Sequence, residues 1–118
     1  MQKFNVIEQF EIISKEIISL TQEIAEIIKK NNFDETSDIL TIEDRYLKRE
    51  QSIEELNKLI STSEGVKIPA TDRWTQFMEK IIPVEEENIN FFETKLSEIK
   101  EKLLEITKTK KLLLYNDQ

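Results

Sequence analysis

The sequence predicts an all-α fold, an antiparallel helical bundle of three long helices with a short helix before Pro83. Two observations predict it. The 118 residues include one Gly and two Pro, which leaves few sites for turns and favours long helices. Apolar residues also recur in alternating steps of three and four, as they do on the packed face of a helix in a bundle or coiled coil. No segment suggests a strand, and the bundle is predicted to be a single domain over residues 1–118.

The first predicted helix covers about residues 2–30. Its main apolar row runs Val6, Phe10, Ile13, Ile17, Leu20, Ile24 and Ile27. A second row of apolar residues runs beside it: Ile7, Ile18, Ala25 and Ile28. Two adjacent rows make a face wider than a two-stranded seam, so this helix is expected to pack in a bundle.

The second predicted helix covers about residues 33–61, with Asn32 and Glu35 as its expected capping pair. Its apolar row consists of Ile39, Ile42, Tyr46, Ile53, Leu56 and Ile60. Arg49 fills the single polar slot in that row, and three leucines are expected to widen the face: Leu40, Leu47 and Leu59. Because the connection to the first helix is short, the two helices are predicted to form an antiparallel hairpin.

A loop holding Gly65 and Pro69 precedes a short helix predicted at residues 72–82. A break or a sharp kink of the helix is expected at Pro83, because a proline inside a helix removes a hydrogen bond and clashes with the preceding turn. A last helix is predicted at residues 84–115, with Glu85 in its first turn, where the helix dipole favours an acid. Its row is Ile89, Phe92, Leu96, Ile99, Leu103, Ile106, Lys110 and Leu113.

Composition argues against several functional classes. The net charge of −7 disfavours binding to nucleic acid or to anionic membranes, since both need clustered Lys and Arg. The chain has neither His nor Cys, which removes the commonest general base and the thiolate metal ligands. We therefore expect no enzyme activity, no metal and no cofactor.

Because the sequence shows no targeting signal, we expect a cytoplasmic location by default. No stretch approaches the roughly 20 apolar residues that span a bilayer. The start of the chain lacks the basic residues and the small-residue cleavage site of a signal peptide.

Two apolar clusters are candidate partner-binding sites. Trp74, Phe77 and Met78 gather large side chains on one short element, which is typical of interfaces but also of residues that close one end of a bundle. Near the C-terminus, Leu112, Leu114 and Tyr115 surround Leu113 of the apolar row. Successive helical residues point about 100° apart, so these side chains cannot all face one core.

Tyr46 and Arg49 allow two interpretations. In the simpler one, Tyr46 is a core aromatic and Arg49 extends its charged head to water. In the other, they form a polar notch in a groove that binds a partner.

Three stretches together resemble the flagellar type III export chaperones of the FlgN/FliT type. The first is the hairpin "LTQEIAEIIKKNNFDETSDILTIEDRYLKREQSIEELNKLI". The second is "EEENINFFETKLSEIKEKLLEI", which is similar to the family's long last helix. The third is "KTKKLLLY", which is similar to the basic, apolar and tyrosine ending of many members. The chain departs from the family where Gly or Ala is usual near the terminal lysines, because it has Thr109 and Leu112 to Leu114 there.

The resemblance implies a small cytoplasmic chaperone without ATPase activity. Such a protein binds the helical terminal segment of a flagellar axial protein, a hook–filament junction or filament cap subunit. It keeps that segment soluble and delivers it to the export gate, and Tyr115 matches by position the tyrosine that bears on gate docking. The heptad rows also fit an alternative, a structural or self-assembling coiled-coil interaction protein without an export role. In that alternative, copies of the chain form a homo-oligomer.

Overall fold

The computed structural model describes the backbone of residues 5–116. It describes the side chains of that range except Ile99, Leu103, Ile106, Thr107 and those of residues 109–116. Helix α1 spans Val6–Lys29, α2 spans Ser37–Ile60, a 3₁₀ turn spans Gly65–Ala70, and α3 spans Asp72–Asn116. The described part of the chain contains no strand, so the predicted all-α bundle is confirmed. The chain divides into two compact units, Met1–Asn88 and Ile89–Gln118.

Helices α1 and α2 form the predicted antiparallel hairpin. Lys30 pairs with Asp38 at 2.7 Å next to the connection, and Glu23 pairs with Arg45 at 2.8 Å further along the helices. The contacts move toward the start of the chain on the α1 side and toward its end on the α2 side, so the two helices are antiparallel.

The connection between α1 and α2 is organised by Asp34, which precedes α2, although the sequence predicted it in the first turn of that helix. The Asp34 carboxylate accepts hydrogen bonds from the backbone N–H groups of Thr36 and Ser37, both at 2.8 Å. The Asp34 N–H in turn donates to Asp38. These bonds lower the pKa of both carboxyls, mainly because backbone N–H groups stabilise the ionised form. The predicted Asn32–Glu35 cap is therefore wrong, and α2 begins at Ser37.

The core of the first unit uses most of the predicted rows. Its buried cluster consists of Phe10, Ile17, Leu56, Leu59, Ile68 and Phe77. Ile68 comes from the 3₁₀ turn, which makes that connection part of the core. The prediction fails for Leu40 and Leu47, which are exposed and do not widen the packed face of α2, whereas Leu59 does.

Gly65 begins the 3₁₀ turn close to the end of α2. A Cβ atom at this position would overlap the carbonyl group of Leu59. The Gly65 N–H donates to the Thr62 hydroxyl at 2.9 Å. The single glycine of the chain is thus explained by a close backbone approach.

Helix α3 continues through Pro83, so the predicted break at this residue is wrong. The short helix expected at residues 72–82 is the first part of α3. In the first unit this part runs parallel to α1, since Phe10 meets Phe77 and Thr21 meets Asn88. The packing of these residues outweighs the local penalty of one proline, as tertiary contacts commonly do.

In the second unit, the described residues all belong to the remainder of α3. The rings of Phe91 and Phe92 meet edge to face, with 5.4 Å between their centroids. The Lys95 ammonium lies 5.9 Å from the Phe91 centroid and 3.5 Å from Glu98. These contacts join neighbours on one helix. Of the large aliphatic side chains that the structure describes in this unit, Ile89, Leu96 and Leu104 are exposed.

Candidate partner-binding site

The three predicted residues at the start of α3 differ in their accessibility. Phe77 is buried, and its ring lies 5.7 Å from that of Phe10. Trp74 and Met78 are partly buried at the edge of the same cluster, and Trp74 stacks on Phe10 at 6.0 Å. Phe77 therefore closes the core, while Trp74 and Met78 keep a surface toward solvent. The role of these residues in binding a partner stays a prediction.

Trp74 and Met78 line a shallow apolar groove with Ile82 and Pro83, and its volume is about 420 Å³. Trp74, Met78 and Ile82 follow each other at intervals of four, so they form one ridge on α3. The groove wall is almost wholly hydrocarbon, and it belongs entirely to the first unit. A surface of this kind can accept an apolar side chain of another protein.

An uncovered apolar row lies on the second unit. Ile89 is 45% exposed and Leu96, one heptad later, is 53% exposed. Phe92 lies between them in the same register and is half-buried. A heptad row on a helix needs a facing helix to exclude water from it. Within the second unit, the described residues supply no such helix.

The C-terminal candidates fall outside the described side chains. The backbone of Leu112, Leu114 and Tyr115 is helical, because α3 extends to Asn116. Where their side chains point is not described, so the docking role of these three residues stays a prediction.

A polar layer crosses the first unit between the three helices. The Arg49 guanidinium of α2 forms a two-pronged ion pair with the Glu85 carboxylate of α3, with Nη2 and Oε1 3.0 Å apart. The two side chains are only 16% and 22% exposed. Arg49 also donates to the Thr21 hydroxyl of α1 at 3.4 Å, and it lies 5.0 Å from the Tyr46 ring centroid. The expected first-turn role of Glu85 is wrong, since no helix begins there.

Asn88 completes the layer, and the sequence pattern did not predict its role. It is buried, and its side-chain N–H donates to the backbone carbonyl of Thr21 at 3.3 Å. A signal for the layer did exist in the sequence. Arg49 is the single polar slot in the α2 row, and Glu85 occupies a row position between Ile82 and Ile89. Two opposite charges in apolar rows predict a pair, once α3 is taken as continuous.

Tyr46 carries the electrostatic signature of this layer. Burial raises the pKa of its phenol, and the Glu85 carboxylate raises it further, while Arg49 acts in the opposite direction. Tyr46 and Arg49 are therefore parts of one internal layer. The expectation that Arg49 extends its charged head to water is wrong, because its guanidinium is paired with Glu85 between the helices.

Metal-ligand clusters and membrane-spanning helices are both absent from the described residues. Among the side chains that the structure describes, no group of three or more His, Cys, Asp or Glu is arranged to hold a metal ion. In the same part of the chain, no helix combines the length and the apolar character needed to cross a bilayer.

Comparisons with known proteins give no relative. No protein-family model, no curated protein and no solved structure matches this chain.

Proposed function

We propose that this chain is a cytoplasmic export chaperone that binds an amphipathic helical segment of a flagellar axial protein. The partner is a hook–filament junction or filament cap subunit. The chaperone keeps this segment soluble and delivers it to the export gate. Leu112, Leu114 and Tyr115 form its gate-docking element in this proposal.

The observation that carries the proposal is the uncovered heptad row of α3. Ile89 and Leu96 present about half of their surface to water, at the spacing that a second helix would cover. Amphipathic helices bind such surfaces through anchors at intervals of three, four and seven residues. The groove at Trp74 and Met78 offers a further apolar contact surface in the first unit.

The flagellar assignment rests on the sequence resemblance over nearly the whole chain. The acidic net charge and the lack of His and Cys agree with a binding protein rather than a metal-dependent enzyme. A helical chaperone needs neither a cofactor nor a nucleotide to shield an apolar segment.

Self-assembly is the second candidate, since two copies could cover each other's rows. The flanking charges disfavour its parallel form. With Ile89 and Leu96 at heptad position a, Lys95 is at position g and Lys100 is at position e. In a parallel pair, position g of one helix faces position e of the next heptad on the other helix, so Lys95 would lie opposite Lys100. Light scattering of the purified chain tests this candidate, which predicts a dimer or a larger species.

Affinity capture from the source organism, followed by mass spectrometry, tests the chaperone proposal. We expect a flagellar axial protein in the captured fraction. The double variant Ile89→Glu/Leu96→Glu should lose it, because two carboxylates in the row cannot be buried against an apolar partner helix without a large cost.

The matched control is Leu40→Glu/Leu47→Glu. These residues are also exposed and one heptad apart, but they lie on α2. The control should retain the partner. Capture of no flagellar or secretion protein by the unmodified chain would contradict the proposed function.

A further inference from the structure

The face that α3 packs in the first unit has a heptad repeat. Trp74 and Phe77 pack on Phe10, and Ile81 and Val84 follow them by one heptad. Residues one heptad apart lie on the same face of a helix. A slide of α3 by one heptad, about 10 Å along its axis, would therefore exchange two aromatic side chains against Phe10 for two aliphatic ones. Apolar packing alone does not exclude this second register.

The connection between α2 and α3 does not prevent the slide either. If residues 72–78 unwind, they join the connection, and Glu79 then starts the helix where Asp72 starts it now. The connection becomes longer, so it need not stretch, and Ile68 can keep its buried position in the core. The register of α3 therefore depends on contacts further along the helix.

The pair of Arg49 and Glu85 opposes the slide. Phe92 follows Glu85 by one heptad, so the slide would place the Phe92 ring opposite Arg49. The Arg49 side chain is only 16% exposed, and it would lose the carboxylate that compensates its charge. A shielded guanidinium without its partner is strongly unfavourable, whereas an apolar residue at the same position would accept the ring.

Asn88 opposes the slide through the same layer. Its side chain donates to the Thr21 carbonyl and Arg49 donates to the Thr21 hydroxyl, so both side chains meet α1 at one residue. Lys95 follows Asn88 by one heptad, and the slide would bring it to that place beside Arg49. Two like charges at one shielded point repel each other, which disfavours the second register further.

We propose that the polar layer of Arg49, Glu85 and Asn88 fixes the register of α3 against the α1–α2 hairpin. Buried polar groups at single row positions specify register in coiled coils in this way, at a cost in stability. The layer then determines which apolar residues of α3 pack in the first unit. This inference does not depend on the proposed function or on the identity of a partner.

Spin labels measure the register, because the chain contains no cysteine and two can be introduced at exposed sites. Glu43 of α2 and Glu79 of α3 are both exposed. They precede the two members of the ion pair on antiparallel helices, so they lie on opposite sides of it. The slide would carry Glu79 away from Glu43. Double electron–electron resonance on labelled Glu43→Cys/Glu79→Cys should give one distance when the layer is intact.

Two variants of the labelled chain carry the test. Arg49→Met/Glu85→Leu removes both charges and should add a second distance, longer by up to about 10 Å. The exchange variant Glu85→Phe/Phe92→Glu keeps the composition and moves the carboxylate by one heptad, so the longer distance should dominate. The single tryptophan, Trp74, gives a second readout. Its fluorescence emission should move to longer wavelength, because the slide removes it from Phe10.

The matched control is Asp44→Leu/Lys48→Met, which makes the same kinds of substitution in an exposed ion pair of α2. It should keep the single original distance, and circular dichroism verifies that each variant is folded. A longer distance in this control overturns the inference, since the effect is then not specific to the layer. An exchange variant that keeps the original distance, or that does not fold, also overturns it, because moving the carboxylate should move α3.

Discussion

At the scale of single residues, the shielded pair of Arg49 and Glu85 gives a specific prediction for stability. Removing one member of a shielded ion pair leaves the other charge without its partner. We expect Glu85→Ala to lower the free energy of unfolding by about 1–3 kcal/mol, the usual cost of a stranded polar group. Urea denaturation of the purified variant measures this change.

The matched control is Lys29→Ala, which breaks the ion pair between Lys29 of α1 and Glu87 of α3. That pair is 63% and 59% exposed, so its loss should cost less than about 1 kcal/mol. Replacing both partners, as in Arg49→Met/Glu85→Leu, should recover much of the stability that Glu85→Ala loses. Equal losses for Glu85→Ala and Lys29→Ala would show that the Arg49–Glu85 pair is no better shielded than a surface pair.

Tyr46 provides a pH-dependent readout of the same layer. Its pKa is raised in the folded chain, so the folded state holds the phenol proton more tightly than the unfolded state. The resulting stability is fully present below the unfolded pKa of about 10 and is lost as pH rises through the folded pKa. Phenolate absorbance near 295 nm, recorded in a Tyr115→Phe background, measures the titration of Tyr46 alone.

Glu85→Gln should shift that titration to lower pH, because it removes a nearby negative charge that opposes the phenolate. An unchanged titration in Glu85→Gln would mean that the carboxylate does not influence Tyr46. A titration of Tyr46 at the ordinary tyrosine pKa in the Tyr115→Phe background would contradict the burial of the phenol.

At the scale of elements, the apolar periodicity predicted correctly those buried positions that depend on the spacing of residues along one helix. The rows of three and four steps located Phe10, Ile17 and Ile24 in α1 and Ile42 and Leu56 in α2, all of which are buried. The same rule failed at positions whose burial depends on where a neighbouring helix lies. Leu40 and Leu47 lie one row too far around α2, and only the position of α1 beside it shows this.

The candidate site shows the same division. The sequence marked Trp74, Phe77 and Met78 as one cluster, but which of them faces solvent depends on how α3 lies against Phe10. The pattern that contains Ile89 and Leu96 predicts a packed row, whereas both residues are uncovered. Periodicity shows that a face is apolar, but it does not show whether a second element covers that face.

Pro83 tests how strongly local preference opposes the fold. As a proline it lacks the N–H that would donate to the Glu79 carbonyl one turn earlier, and its ring crowds that carbonyl. Because α3 continues through this position, Pro83→Ala should raise the free energy of unfolding by about 1–3 kcal/mol. Urea denaturation measures this change, and the exposed substitution Thr75→Ala in the same helix serves as the control. A loss of stability in Pro83→Ala would mean that packing requires the backbone geometry that proline imposes.

At the scale of the whole molecule, the described core is confined to the first unit. Every residue of the buried hydrophobic cluster lies between Phe10 and Phe77. The polar layer ends at Asn88, which is also the last residue of that unit. The structural requirements of the three-helix packing are therefore met before Ile89.

A chain truncated after Asn88 should consequently fold on its own. We expect a cooperative thermal transition close to that of the full chain, because truncation removes no member of the buried cluster or of the Arg49–Glu85 layer. Circular dichroism and calorimetry measure the transition. Truncation after Glu79 is the control, and it should destabilise the fold because it deletes both Glu85 and Asn88.

The sequence, by contrast, predicts one domain over residues 1–118, and that prediction implies a large loss of stability when residues 89–118 are removed. The same truncated chain also separates folding from binding. If the row of Ile89 and Leu96 binds the partner helix, the chain ending at Asn88 should remain folded and lose the captured partner. A folded truncation that retains full partner binding would place the binding surface in the first unit, at the groove of Trp74 and Met78. Retention of the partner would thus redirect the chaperone proposal to that groove, whereas unfolding would support the single domain that the sequence predicts.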